Sequence, residues 1–445
     1  MKVSVVYSEP CLEFKIDLDD DDRPSPSEKY SLKENTFSFI LPNEFDFEKV
    51  HPDHLALVSL LVCQPFIGKK IQFPEPVSLQ FAEIASKKTR YNIENINQNL
   101  EPWAPSLDSR PALAFSGGAD STAALALLPP DTAPIFLDRP LSDAPSLYDR
   151  DAAHLACKNL AEIGYEVKMI TSNLEYIRDP VGFPVDVANA APAILLAELM
   201  EFDAISFGTV LESAFGVGHV RYRDYPNGNH YQYWGNLFSV AGLPFLQVVS
   251  GVSEVGTTII NSKSTIGEYA HSCMRGKWKK PCRNCWKCYR KLLLESVIED
   301  YKLSDLEYEE LFLIPEAIRF LSSFPIKHEN VLTYITSKYD IEKSTDVNLY
   351  MELLKRRVRG DKMKTSWMEK YYPPMLEVIP EKYRENVLIK LNRYLTPMSI
   401  EEQKFVEEWD MQPMLDDKYY SDLHETLKSS IETLKSSKDE TLKYS

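Results

Sequence analysis

The chain has 445 residues, enough for roughly three domains, and its 44% apolar and 11% aromatic content can build a sizeable core. With 66 acidic against 50 basic residues the net charge is -16, which opposes docking along a phosphate backbone, so a nucleic-acid partner would need a local basic patch. The longest apolar run, Leu55 to Cys63, is too short to cross a bilayer, and Glu9 and Glu13 stand where a secretory signal would be apolar; no membrane association and a cytoplasmic location are expected.

Residues 3 to 18 alternate as strands do, through Val3, Val5, Leu12, Phe14, Ile16 and Leu18, and end in the acidic loop Asp19 to Asp22. Thr36 to Leu41 reads as another strand and Asp53 to Val62 as a helix, before Pro102, Pro105 and Pro111 punctuate a linker. Residues 1–105 are therefore expected to form an α+β module of their own. From Pro111 short apolar runs alternate with helical stretches: Ala112 to Phe115, Ser121 to Leu128, Ala133 to Asp138, Asp151 to Ile163, Glu166 to Ile170, then a helix over Ala191 to Met200 and a strand over Ala204 to Phe207. This βαβαβ texture predicts a parallel sheet in residues 106–300, with ligands at the carboxyl ends of its strands. Residues 301–415 read as helical, with amphipathic stretches at Asp305 to Leu313, Asp346 to Arg357 and Glu381 to Tyr394. Residues 416–445 form a charged tail with Glu-Thr-Leu-Lys repeated at Glu425, Glu432 and Glu440. Its Leu427, Ile431 and Leu434 share a helical face, but a frayed, solvated tail is the expectation.

The segment that carries chemistry is Ser116-Gly117-Gly118-Ala119-Asp120-Ser121-Thr122, which follows a buried strand and leads into a helix. Gly117 and Gly118 allow a backbone that brings successive N–H groups close to an anion. Ser116, Ser121 and Thr122 add hydroxyls, and the helix points its positive end to the same place. Asp120 would be repelled by bare phosphate, so it is expected to partner Mg²⁺ or to brace the loop. The segment is neither a Walker A loop, since no Gly-Lys-Ser/Thr follows, nor the dinucleotide fingerprint.

Seven cysteines are present, four of them crowded together as Cys273, Cys282, Cys285 and Cys288. Two short Cys-x-x-Cys steps sharing Cys285, with Cys273 more distant, can wrap four thiolates around Zn²⁺. A closed four-sulfur shell leaves no position for water, so the expected role is structural, and His271 nearby is not needed as a ligand. Arg275, Lys277, Lys279, Lys280, Arg283, Lys287, Arg290 and Lys291 surround the cysteines without an intervening acid. They offset thiolate charge or, in a sharper reading, touch phosphate. Cys11, Cys63 and Cys157 read as small hydrophobes. His219 and His230 flank an aromatic loop, Tyr222, Tyr225, Tyr231, Tyr233 and Trp234, which reads as a lid or as a surface for stacking on a purine.

Ser-Gly-Gly-x-Asp-Ser after a strand resembles the PP-loop of the ATP pyrophosphatases. Followed by this cysteine spacing, with Ser272-Cys273 leading it, it is similar to the 7-cyano-7-deazaguanine synthase family over about Pro111 to Leu294. The resemblance implies an adenine nucleotide alpha hydrolase-like (HUP or Rossmann-like) parallel sheet with a zinc-binding element. It also implies ATP and Mg²⁺ as cofactors, with Ser116, Asp120 and Ser121 in catalysis. The nucleotide would be held by Ser116, Gly117, Gly118, Ala119, Asp120, Ser121, Thr122, Asp138, Gly208 and Glu212. The implied reaction activates a 7-deazaguanine carboxylate as an acyl adenylate, releases pyrophosphate and passes the acyl group to nitrogen. Substrate stretches depart from the family: Asp138-Arg139-Pro140-Leu141 replaces Asp-Tyr-Gly-Gln, and Tyr225-Pro226-Asn227-Gly228-Asn229 only echoes Tyr-Pro-Asp-Cys-Arg. Divergent relatives in bacterial antiviral defence join a deazaguanine to a protein amine, and large extra regions here fit a protein partner or substrate. The rivals are a tRNA-modifying PP-loop enzyme, either sulfurtransferase or lysidine-type ligase, and a nucleotide-sensing scaffold without catalysis.

Overall fold

The computed structural model describes residues 1–140, 149–273, 275–339 and 346–444. Leu141 of the altered substrate stretch lies outside the described residues.

One eight-stranded sheet organises the chain. Its strands are β1 (Lys2–Ser8), β2 (Cys11–Asp17), β3 (Thr36–Ile40), β4 (Arg110–Phe115), β5 (Ala133–Asp138), β6 (Lys168–Ser172), β7 (Phe202–Ser206) and β8 (Phe245–Leu246), in the spatial order β1-β2-β3-β6-β5-β4-β7-β8. The five strands from β4 onward pair in parallel. The two central ones, β4 and β5, are apolar and buried along nearly their whole length because a parallel sheet is covered on both faces there. The period-2 pleat sorts their side chains: Leu113 and Phe115 enter one core with the C-terminal helices, while Ala112 and Ala114 enter the other. In that second core the helix α1 (Pro52–Cys63) is buried along almost its whole length. This explains how the longest apolar run is used, and among the described residues no helix is long and apolar enough to cross a membrane.

Two expectations are corrected here. The long N-terminal strands do not form a sheet apart from the rest: β1, β2 and β3 form an antiparallel extension, and β3 pairs with β6 through Ile40 opposite Thr171 and Phe39 opposite Ser172. An edge strand presents unpaired backbone groups, and the N-terminal meander covers that edge of the parallel sheet. The tail is packed along one side and not frayed. The last helix, α8 (Lys418–Tyr444), buries Leu427, Ile431 and Leu434, the stripe that the sequence places on one face. It lies against α7 (Asp346–Arg357), whose buried Arg357 donates to Glu329 of α6 (Glu329–Ser337) at 3.0 Å and to His424 of α8 at 3.4 Å. The side chains of the last repeat, from Glu440, lie outside the described residues. A smaller difference is that Ala191 to Met200 forms two short helices, Ala191–Leu195 and Ala197–Met200, with Leu196 between them.

Chain direction fixes where a ligand can sit. From β4 the chain moves to β5 and β6 on one side, and the later β7 and β8 lie on the other. Connections leaving β4 and β7 therefore diverge and open a crevice beyond their carboxyl ends. The Ser116 loop leaves β4 at that place.

Candidate functional site

Gly117 sits at φ +71°, a conformation that favours glycine, and Gly118 turns the chain into α2 (Ala119–Leu127). The helical ladder begins with the Thr122 N–H to the Gly118 carbonyl, 3.0 Å, leaving the N–H groups of Ala119, Asp120 and Ser121 outside it. This is an anion-binding arrangement of backbone donors at a positive helix end. The hydroxyls are preorganised. The Ser116 and Ser121 Oγ atoms lie 3.1 Å apart, the Gly118 N–H donates to Ser116 Oγ at 3.3 Å, and the Ser121 and Thr122 hydroxyls each donate to the Gly118 carbonyl at 3.0 Å.

Neighbouring elements brace the turn. Thr257 and Asn261 belong to α4 (Glu254–Lys263), which follows α3 (Arg150–Glu162) in the chain; Thr257 donates to Asp120 Oδ1 at 2.9 Å and Asn261 to the Ala119 carbonyl at 2.8 Å. The backbone N–H of His271 donates to the Gly117 carbonyl at 2.6 Å, tying the segment that leads to Cys273 directly to the loop. Gly208, just past β7, fits because it lacks a side chain: a Cβ there would stand 2.7 Å from the Ser121 nitrogen. Sequence reading placed Gly208 against the nucleotide, and the structure places it against the backbone of the loop.

The loop opens on a cavity of about 940 Å³ lined by Ser116, Asp120, Ser121 and Gly208 together with Tyr225 and His230. His230 lies 2.9 Å from Asp186. The aromatic segment thus supplies a cavity wall. A second, smaller space of about 130 Å³ is walled by Phe115, Phe136, Leu137 and Phe183 and shares Ser116 and Gly118 with the first. Arg139 at its edge is ion-paired with Glu175.

Three expected nucleotide contacts are not placed at the cavities. Thr122 is fully buried and spends its hydroxyl on Gly118. Asp138 is occupied by His154 at 2.8 Å and Thr171 at 3.4 Å. Glu212 is fully buried, and its carboxylate accepts from the Glu254 N–H at 3.1 Å and from Asn330 at 2.7 Å. Burial and the nearby charge of Glu254 push its carboxyl up to about 7.

Behind the loop lies a charge cluster that sequence reading missed. Arg290 and Lys291 of α5 (Trp286–Ile298) reach Glu254 at 2.6 and 3.2 Å, and Lys291 lies 3.9 Å from Asp120. Burial opposes the charge of Glu254, but the two cations outweigh it and hold the carboxyl well below its ordinary range. Burial likewise opposes the charge of Lys291, yet Glu254 and Asp120 raise it above its ordinary value. The only available signal was the pair Arg290-Lys291 two residues after the last clustered cysteine, and nothing local names their partners.

The four clustered cysteines do converge. Their sulfurs all lie within 4.8 Å of one another, a spacing that admits one metal ion. Backbone N–H groups of Cys282, Asn284 and Cys288 donate to the sulfurs of Cys273, Cys282 and Cys285 at 3.3 to 3.4 Å. Donors aimed at sulfur favour thiolates, so the residues fit Zn²⁺ bound for structure, and His271 instead faces the Gly276 carbonyl at 3.1 Å. Cys63 and Cys157 are buried apolar residues, with burial pushing the Cys157 thiol up to about 12. Cys11 is half-buried.

A family model described as a family of unknown function (DUF6395) matches residues 233–410, a span that holds the clustered cysteines and much of the helical region but begins after the Ser116 loop. No curated protein and no solved structure matches the chain.

Proposed function

We propose that the protein is an ATP-dependent adenylating enzyme of the PP-loop type that joins an activated carboxylate to a nitrogen nucleophile. The observation that carries this reading is the position of the Ser116 loop: its spare N–H groups and paired hydroxyls lie at the strand-order reversal and face a cavity with room for both a nucleotide and a second substrate. Pyrophosphate oxygens would take the N–H groups of Ala119, Asp120 and Ser121, with Ser116 and Ser121 reorienting their hydroxyls toward them. The apolar space beside Phe115 and Phe136 suits the flat purine. Magnesium would supply charge neutralisation on the phosphates, with Asp120 at the cavity wall as its carboxylate.

A carboxylate oxygen attacks the α-phosphorus, the bond to the bridging oxygen breaks, and pyrophosphate departs. The amine nitrogen then attacks the acyl carbon, and AMP leaves with the former carboxylate oxygen while the nitrogen releases a proton. Backbone donors fixed before reaction need no reorganisation as phosphate charge shifts. The substrate class, a 7-deazaguanine acid, and the acceptor, ammonia or a protein amine, rest on the sequence resemblance. The tRNA-modifying alternative is weakened because five of the eight basic residues around the cysteines are paired with acids: Arg275, Lys279, Arg283, Arg290 and Lys291.

With ATP, Mg²⁺ and a 7-deazaguanine carboxylate, and with ammonia or co-purifying proteins supplied in turn, pyrophosphate release is expected to fall at least about 100-fold in Asp120→Ala. Absence of release by the native protein under every combination would leave the scaffold reading in its place.

A further inference from the structure

Three spaces meet around the phosphate loop: the 940 Å³ cavity, the apolar space of about 130 Å³, and a third of about 470 Å³ beside Ala119 and Cys273. Among the described residues, one side chain lines all three, that of Lys287. It lies between Cys285 and Cys288, at the start of α5, and is half-buried.

Its surroundings set it apart from the other cations of the cysteine segment. Arg275 is held by Glu316 at 2.8 Å, Lys279 by Glu268 at 3.2 Å, Arg283 by Glu307 at 4.0 Å, and Arg290 and Lys291 by Glu254. No carboxylate among the described residues lies within 4.0 Å of the Lys287 ammonium. Lys277 and Lys280 also lack such a partner, but neither lines these spaces. A lysine that lines these spaces beside the Ser116 loop, half-buried and without a carboxylate in ion-pair range among the described residues, has its charge available for a ligand.

We propose that Lys287 is a phosphate-binding residue that contacts the polyphosphate of a nucleoside triphosphate held by the Ser116 loop, and that the four-cysteine knuckle sets its position. This rests on the adenylation reading and names a residue that reading does not use. Two connections fix the geometry. The cysteines on either side of Lys287 belong to the four-sulfur cluster, and the segment leading to Cys273 is hydrogen-bonded to the loop through His271 and Gly117 at 2.6 Å. A metal closing the cluster would hold the start of α5 in register with the loop. The knuckle would then serve the site by aiming a cation, without its metal touching substrate.

The test uses inorganic pyrophosphate with Mg²⁺ as the probe, titrated calorimetrically into the full-length, metal-containing protein. Lys287→Met keeps most of the stem and removes the charge, and should weaken pyrophosphate binding about 10- to 100-fold while metal content and thermal unfolding stay as in the native protein. Lys287→Arg should recover most of the loss, and Lys277→Met should change nothing. Native affinity in Lys287→Met, or Lys287→Arg binding no better than Lys287→Met, overturns the proposal. Should Lys287→Met shed its metal, the comparison of Lys287→Arg with Lys287→Gln at equal metal content decides by the same criterion. Failure of the native protein to bind pyrophosphate or ATP counts against the adenylation reading itself, a result distinct from a silent Lys287.

Discussion

The two flanks of the Ser116 loop use lysines of the same helix in opposite ways. Lys291 lies behind the loop, almost fully buried, between Asp120 and Glu254. Lys287, one turn earlier, lines the open spaces without a carboxylate within ion-pair distance among the described residues. The rear flank is electrostatically closed: Glu254, Arg290 and Lys291 satisfy one another, and a ligand has little to gain there. The front flank is unsaturated, with helix N–H groups, shared hydroxyls and Lys287 beside the cavity. The contrast teaches that charge near a loop does not by itself mark ligand contact. What matters is whether the charge is already answered by the protein.

The most disruptive way to probe that contrast is Glu254→Gln. It leaves Arg290 and Lys291 buried without their main counter-charge, and should cost about 3–5 kcal/mol of stability by denaturant unfolding. A loss under about 1 kcal/mol would mean that the rear flank is hydrated and that the two flanks differ less than described.

Gly208→Ala sharpens the same comparison from the side of β7. Its Cβ would stand 2.7 Å from the nitrogen and 3.1 Å from the Cα of Ser121, so the loop backbone has to move. Overpacking of this kind should cost about 1–3 kcal/mol and weaken ATP binding, whereas native ATP affinity in this variant would show that the loop is not the binding element.

Glu212 gives the smallest effect, and its sign is specific. Its carboxyl is pushed up to about 7 from an ordinary 4.5, so between those values the folded chain binds a proton that the unfolded chain does not. The resulting stabilisation is complete below about pH 4.5 and is lost as pH rises through about 7. Glu212→Gln should remove roughly 1 kcal/mol of the stability that the native protein loses between about pH 6 and pH 8, as measured by unfolding at each pH. Parallel stability curves for the two proteins would show that Glu212 does not titrate in that window.

Much of the central sheet was legible because its signals are local. Ala112 to Phe115 and Ala133 to Asp138 are continuous apolar runs, and both are buried strands. The turn at Gly117 was legible because its φ of +71° lies where glycine is strongly favoured. The cysteine spacing was legible because thiolate geometry constrains sequence distance. What escaped is equally instructive. The family resemblance implied a site role for Glu212, yet Asn330, more than a hundred residues later, helps to enclose it. The tail repeat read as solvated because its polar residues outnumber its apolar ones, and the surface that buries Leu427 and Ile431 is built by other helices.

The sequence by itself determined the loop, the strands and helices around it and the four-sulfur grouping, since backbone strain, helix capping and thiolate spacing act between near neighbours in the chain. Tertiary structure alone decided that β3 would complete the sheet against β6 and that Lys291 would be neutralised while Lys287 was not. Burial and ion pairing are properties of surfaces that meet only after folding, and hydrophobic burial chooses those surfaces with little regard to the distance between them in sequence.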